Sequence, residues 1–208
     1  RFKKSSQISR AVHQRRERDD RRSLAPQDAL AHGADVHAEL ARHVGLELRK
    51  AALRPCNDGS GRDRLRRVLH TGDFRRTYLA VACGTGLPPH GTIDLPIARA
   101  DDGSTRRIPA PGGQPSVTDY TVLAERDGCT LLRVAPRTGR THQIRVHFAA
   151  LGHPLLGDAL YGGDASRLAR PALHSATADF AQPVTGQSLH ITAPIPCDLR
   201  AFDFERYL

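Results

Sequence analysis

One stretch restricts the fold more than any other part of this 208-residue chain. Cys129 to Ala135 reads as a strand, Pro136-Arg137-Thr138-Gly139-Arg140 as a tight glycine turn, and Thr141 onward as a helix. Ile144, Phe148 and Leu151 recur at i, i+4 and i+7, so they share one apolar face, and Gly152 follows as the helix stop. Arg140 falls at the mouth between strand end and helix start. Free backbone N–H groups there favour an anion, and an arginine beside them can pair bidentately with a carboxylate or phosphate. His142, Gln143 and Arg145 lie on the first turn, near the same mouth. The spacing equally suits a helix start whose polar residues only cap and solvate.

The neighbouring segments supply the sheet. Thr77 to Cys83 is a near-continuous apolar run of strand length, suited to a strand covered on both faces. Gly84 to Gly91 is a turn region, and Thr92 to Ala98 a further short strand. Residues 101–115, rich in Gly and Pro, form a loop with Arg106 and Arg107 exposed. Val117 to Ala124 alternates as a strand, and Asp127-Gly128 is a hairpin signal. These elements predict an α+β domain: a mixed, mainly antiparallel sheet with flanking helices. Asp63 to Gly72 reads as a short basic helix, and the domain is expected over residues 61–208.

Residues 1–60 differ in character. Arg15 to Arg22 is a dense mixed-charge run, and Phe2 is the only aromatic before Phe74. A helical reading exists for Asp28 to Lys50; a disordered basic arm is the competing one. The chain lacks Met, the initiator included, which fits a fragment or a processed form. Its formal charge is +9, which favours polyanionic partners, nucleic acid first; a basic tail on a neutral domain is the competing reading. Cys56, Cys83, Cys129 and Cys197 are scattered, without a Cys-x-x-Cys pair, so reduced thiols and a cytoplasmic location are expected, with no metal. His142 and His147 stand at i, i+5, which splays them too far for a zinc pair. No run of eighteen apolar residues exists, so no membrane-spanning helix is expected.

A resemblance adds to these readings. Thr138 to His147, then Leu151-Gly152-His153-Pro154-Leu155-Leu156-Gly157-Asp158 and Tyr161-Gly162, resembles the signature of the RluA-type RNA pseudouridine synthases. Arg76-Thr77-Tyr78-Leu79-Ala80-Val81 resembles that family's tyrosine motif, and Ala172-Leu173-His174-Ser175 its later Leu-His motif. Phe180 to Thr185 and Ala193-Pro194-Ile195-Pro196 continue the match in order, so that it covers roughly residues 62–208. The resemblance implies isomerisation of uridine to pseudouridine in ribosomal or transfer RNA, with neither metal nor organic cofactor, by a chain expected to be monomeric. It implies a flipped-out uridine and an aspartate that attacks the nucleoside. Tyr78 is then expected against the base, Arg140 paired with that aspartate, and Leu173 beneath the uracil. His142, Gln143 and Arg145 are expected to support the site or to contact RNA.

The sequence departs from the family at the aspartate. The family's His-Arg-Leu-Asp segment is missing, and counting back from Tyr78 reaches Arg42 to Glu47, without an Asp. Nearby acids are Glu47, Asp58 and Asp63. Asp58-Gly59-Ser60-Gly61 echoes the family's Asp…Ser-Gly ending but sits too close to Tyr78, and also reads as a simple turn. The expectation is therefore a family domain incomplete at its N-terminus, with residues 1–60 replaced, for example by a shifted reading frame. An RNA-binding protein that lost catalysis, or a non-functional remnant, are the alternatives.

Overall fold

The computed structural model describes residues 74–182 and 185–207. The expectations for residues 1–60, for the Asp63–Gly72 helix and for Glu47, Asp58 and Asp63 lie outside the described residues.

Six strands form one sheet in the order β2-β5-β6-β1-β7-β8. They are β1 (Arg75–Cys83), β2 (His90–Asp94), β5 (Val117–Arg126), β6 (Cys129–Pro136), β7 (Leu173–Ala181) and β8 (Ser188–Thr192). Every pairing is antiparallel. Leu79 to Ala82 of β1 are fully buried, as its unbroken apolar run requires of a strand covered on both faces. Tyr78, Ala80 and Ala82 face one cluster with Leu132, Val134, Leu155 and Leu173. Leu79 and Val81 face the other, with Leu131, Leu156, Leu199 and Phe204. Asp127 (φ 53°) and Gly128 (φ 71°) join β5 to β6, and positive φ at both central residues matches the twist of the flanking strands.

The helix α1 (Gln143–Ala150) lies on the first face, where Ile144 and Phe148 enter the core. Leu151 does not: it is 40% exposed, because the chain has already left the helix and turns away at Gly152 (φ 80°). Val146 packs instead on the helix's other side, with Ile97 and Tyr161.

Two further expectations are corrected. The run Thr92–Ala98 is not one strand: it breaks at Leu95-Pro96, and Ile97–Arg99 forms a separate strand, β3. The segment read wholly as loop contains β4 (Arg107–Pro109), paired with β3. This ribbon is fixed by tertiary contacts: Ile97 buries itself on α1, and the Arg107 N–H donates to the Tyr161 hydroxyl (3.0 Å). Arg107 is consequently half-buried, while Arg106 is exposed.

Candidate active site

Tyr78 lies in the middle of the sheet, 2% exposed, opposite Val134 on β6 and Ser175 on β7. The β1–β7 register passes from Thr77↔Thr177 to Tyr78↔Ser175, so Ala176 has no opposite number: a bulge sits at the tyrosine. Bulges re-aim the side chains beside them and are frequent next to active sites. Leu173 opposes Ala80 and shares the Tyr78 cluster, so the structure brings these two expected site residues onto one face.

Arg76 precedes Tyr78 by two residues on the same strand, hence on the same face. A Cβ on Gly139 would stand 3.0 Å from Arg76 Nη2, so a glycine is what lets the turn lie against this guanidinium. Arg76 Nε and Ser175 Oγ are buried and have no hydrogen-bond partner among the described residues. An unmade hydrogen bond on a buried polar atom is unfavourable by ~1–3 kcal/mol. Two such atoms flanking Tyr78 are the kind of exception that functional sites hold.

The turn carrying Arg140 is tied down by a buried amide. Gln143 Oε1 accepts from Thr138 Oγ1 (2.8 Å) and from the Arg140 N–H (2.9 Å). Its Nε2 donates to Val117 O (3.0 Å) and Thr118 Oγ1 (3.0 Å). That uses both donors and both lone pairs of the amide. The Thr118 hydroxyl in turn donates to His147 Nδ1 (2.9 Å), and His147 Nε2 donates to Leu95 O (3.1 Å). Burial holds the His147 pKa below its ordinary value, in keeping with a neutral ring in this network. Arg140 itself is exposed, with Nε on Pro115 O (3.2 Å), and pairs with no carboxylate among the described residues.

A second network orders the other side of the helix start. Arg145 forms a two-pronged ion pair with Asp158 (both 2.7 Å), whose side chain is fully buried. The Arg145 guanidinium stands 4.9 Å above the Tyr161 ring. The Tyr161 hydroxyl accepts from Arg107 N–H and is hydrogen-bonded to His142 Nδ1 (2.9 Å). His142 is held mainly by burial, and then by Arg145, at a pKa of about 4. Its ring is therefore neutral near pH 7. Its backbone has φ 58°, a left-handed conformation rare outside glycine.

His142, Gln143 and Arg145 were expected together at the mouth. The structure turns Gln143 and Arg145 inward: Gln143 fills all four of its hydrogen-bonding positions, and Arg145 pairs with the buried Asp158. Asp158 and Tyr161, which organise this second network, carry no role in the sequence reading. The available signal was their place in the same motif run, just after Leu155-Leu156-Gly157.

The family described as RNA pseudouridylate synthase matches residues 56–150. The uncharacterized RNA pseudouridine synthase YhcT of Bacillus subtilis is 43% identical over 134 residues, which is 64% of this chain and 44% of that protein. Ribosomal large subunit pseudouridine synthase D of Vibrio cholerae is 41% identical over 150 residues, 65% of this chain and 46% of that one. These matches support an assignment to the RluA-type RNA pseudouridine synthase family. It spans less than half the length of these curated relatives. Among solved structures, human RNA pseudouridylate synthase domain containing 1 superposes with a TM-score of 0.54 at 28% identity, over 69% of this chain and 62% of that one. Human RNA pseudouridylate synthase domain containing 4 shares the fold, with a TM-score of 0.53 at 22% identity over 68% and 67%. No helix among the described residues is long and apolar enough to cross a membrane.

Proposed function

We propose that this chain acts as an RNA pseudouridine synthase, with ribosomal RNA as the first substrate to test and transfer RNA as the second. The observation that carries the reading is the Tyr78–Leu173 face. An aromatic ring and an aliphatic wall lie together there, beside the unpaired Arg76 Nε and Ser175 Oγ, at the foot of the turn that presents Arg140. An extruded uracil offers what such a site lacks: a flat apolar face and an edge of carbonyl and N–H groups.

In this reading Tyr78 lies against the base and assists the final proton removal, and Leu173 supports the ring from below. Arg140 orients the nucleophilic carboxylate by charge-assisted hydrogen bonds. Gln143 positions Arg140 through its backbone N–H and through Thr138. The nucleophile is assigned to no described residue; Asp58 is the first candidate, with Glu47 and Asp63 behind it. His142, neutral and anchored on Tyr161 through Nδ1, offers its other ring nitrogen to the RNA.

The test is direct. The full chain is incubated with ribosomal and transfer RNA, and pseudouridine is mapped at each position. Wild-type protein is expected to form product, and Arg140→Ala to lose most of it with a stability change within about 0.5 kcal/mol, as for an exposed side chain. Full turnover by Arg140→Ala would remove that residue from the mechanism. Salt-dependent RNA binding with no product from wild type would replace the enzyme reading with that of a binding protein.

A further inference from the structure

Cys83 ends β1 and Cys129 begins β6, and the two are register partners. The hydrogen bonds around them define the kind of pair. Gly84 N–H donates to Gly128 O (2.8 Å), whereas Cys83 N–H turns to the opposite side and donates to Pro154 O (2.8 Å). Cys83 and Cys129 therefore form a non-hydrogen-bonded antiparallel pair, in which side chains approach most closely. The Cα atoms of such pairs are ~4.5 Å apart, inside the ~4.4–6.8 Å span that a disulfide bridges. Both side chains face the cluster of Leu79, Val81 and Leu131.

The two thiols differ in surroundings. Cys83 is half-buried, and Cys129 is 4% exposed. Arg167 Nη1 donates to Cys129 Sγ (3.4 Å) and to Asp127 O in the adjoining turn (3.2 Å). Burial raises the Cys129 thiol above its ordinary pKa, and Arg167 acts against that. The charged groups on the elements packed around the pair are Arg167 and Asp127; His153 Nδ1 also approaches the Cys83 carbonyl (3.1 Å).

We infer that Cys83 and Cys129 are a built oxidation site, closed to a cross-strand disulfide by a peroxide. The accessible Cys83 thiolate attacks one peroxide oxygen; the O–O bond breaks, Cys83 becomes a sulfenic acid, and hydroxide leaves and takes a proton. The Cys129 sulfur, its developing charge held by Arg167, then attacks Cys83 Sγ. The S–S bond forms as the S–O bond breaks, and the leaving hydroxide takes the proton that Cys129 gives up. Two thiols and one hydrogen peroxide yield one disulfide and two waters. The inference does not depend on the RNA reading.

The reduced full-length chain is exposed to hydrogen peroxide, quenched, unfolded, alkylated and digested for peptide mass mapping. The expected product is one peptide pair joined through Cys83 and Cys129, lighter by two hydrogens and reversed by dithiothreitol. Cys83→Ser should abolish it and leave Cys129 open to alkylation. Arg167→Gln should slow closure by at least about tenfold, the scale of one hydrogen bond to a charged group. Cys83 carried on to sulfinic acid while Cys129 stays alkylatable, or a bridge to Cys56 or Cys197 instead, would overturn the assignment. An Arg167→Gln chain that closes at the wild-type rate would overturn the arginine's part in it.

Discussion

Replacing Arg145 by Met keeps most of the aliphatic stem and removes only the guanidinium. The variant therefore isolates the ion pair with Asp158, which has two 2.7 Å contacts, Arg145 12% exposed and Asp158 fully buried. A buried carboxylate left without its partner destabilises by ~3–5 kcal/mol. Loss of the cation stacked on Tyr161 adds ~0.5–2 kcal/mol. For a chain of this length each kcal/mol is about 2–4 °C of Tm, so the variant should melt roughly 10 °C or more below wild type.

Urea unfolding followed by circular dichroism at pH 7 should show a deficit of ~3–5 kcal/mol or more relative to wild type. Adding Asp158→Leu should recover much of it, since an apolar pair of similar volume replaces a buried ion pair at little loss. A deficit under about 1 kcal/mol, the value of an exposed pair, would refute the buried-pair argument.

Gln143→Leu preserves volume and removes four hydrogen bonds, so urea unfolding should register a loss of about 2–3 kcal/mol. Amide exchange at the Arg140 N–H should accelerate, and pseudouridine formation should fall in the molecules that remain folded. His142→Asn keeps a residue that tolerates the left-handed backbone and removes a ring whose folded pKa, about 4, lies below the unfolded 6.5. A depressed histidine pKa means that the unfolded state takes up the proton first. Wild-type stability is therefore full above about pH 6.5 and declines towards pH 4. His147 contributes in the same direction in both proteins. The difference between the two urea-derived curves should consequently isolate His142, and parallel curves would show that the ring does not titrate as described.

The sheet was legible where local sequence decides structure. The unbroken run of β1 announced a strand covered on both faces, and Asp127-Gly128 announced a hairpin. The β3–β4 ribbon was not legible, because Arg107-Ile108-Pro109 sits among Gly and Pro, and its pairing depends on Ile97 reaching α1 and on the Tyr161 hydroxyl, 54 positions away. Leu151 matched the apolar period of the helix, but period alone does not tell where the chain leaves the helix. Of the expected site residues, Tyr78 and Leu173 lie on one face of the sheet, and Arg140 sits exposed on its turn. Of the two roles expected for Gln143, supporting the site or contacting RNA, its burial behind Arg140 fits the first. A polar residue on a first helical turn belongs to solvent unless another strand closes over it, and here the start of β5 does so.

The two sides of this site are held by different means. Tyr78 and Leu173 are fixed by strands in the middle of a six-stranded sheet, where the backbone has little freedom. Arg140 is on a turn, and what orders it is side-chain chemistry: Gln143 and Thr138 behind it, and His142 in a left-handed conformation just after it. That conformation disfavours a side-chain-bearing residue by roughly 1–2 kcal/mol. It persists because surrounding contacts outweigh it; the Tyr161 hydroxyl grips Nδ1 of the same residue, and Tyr161 is itself held between Arg145 and the Arg107 N–H. The Arg145–Asp158 pair thus acts beyond its own stability, since it buttresses the ring that holds the strained residue beside Arg140. Asp158 and Tyr161 consequently matter to the mouth proposed to bind RNA while their own side chains stay buried beneath it.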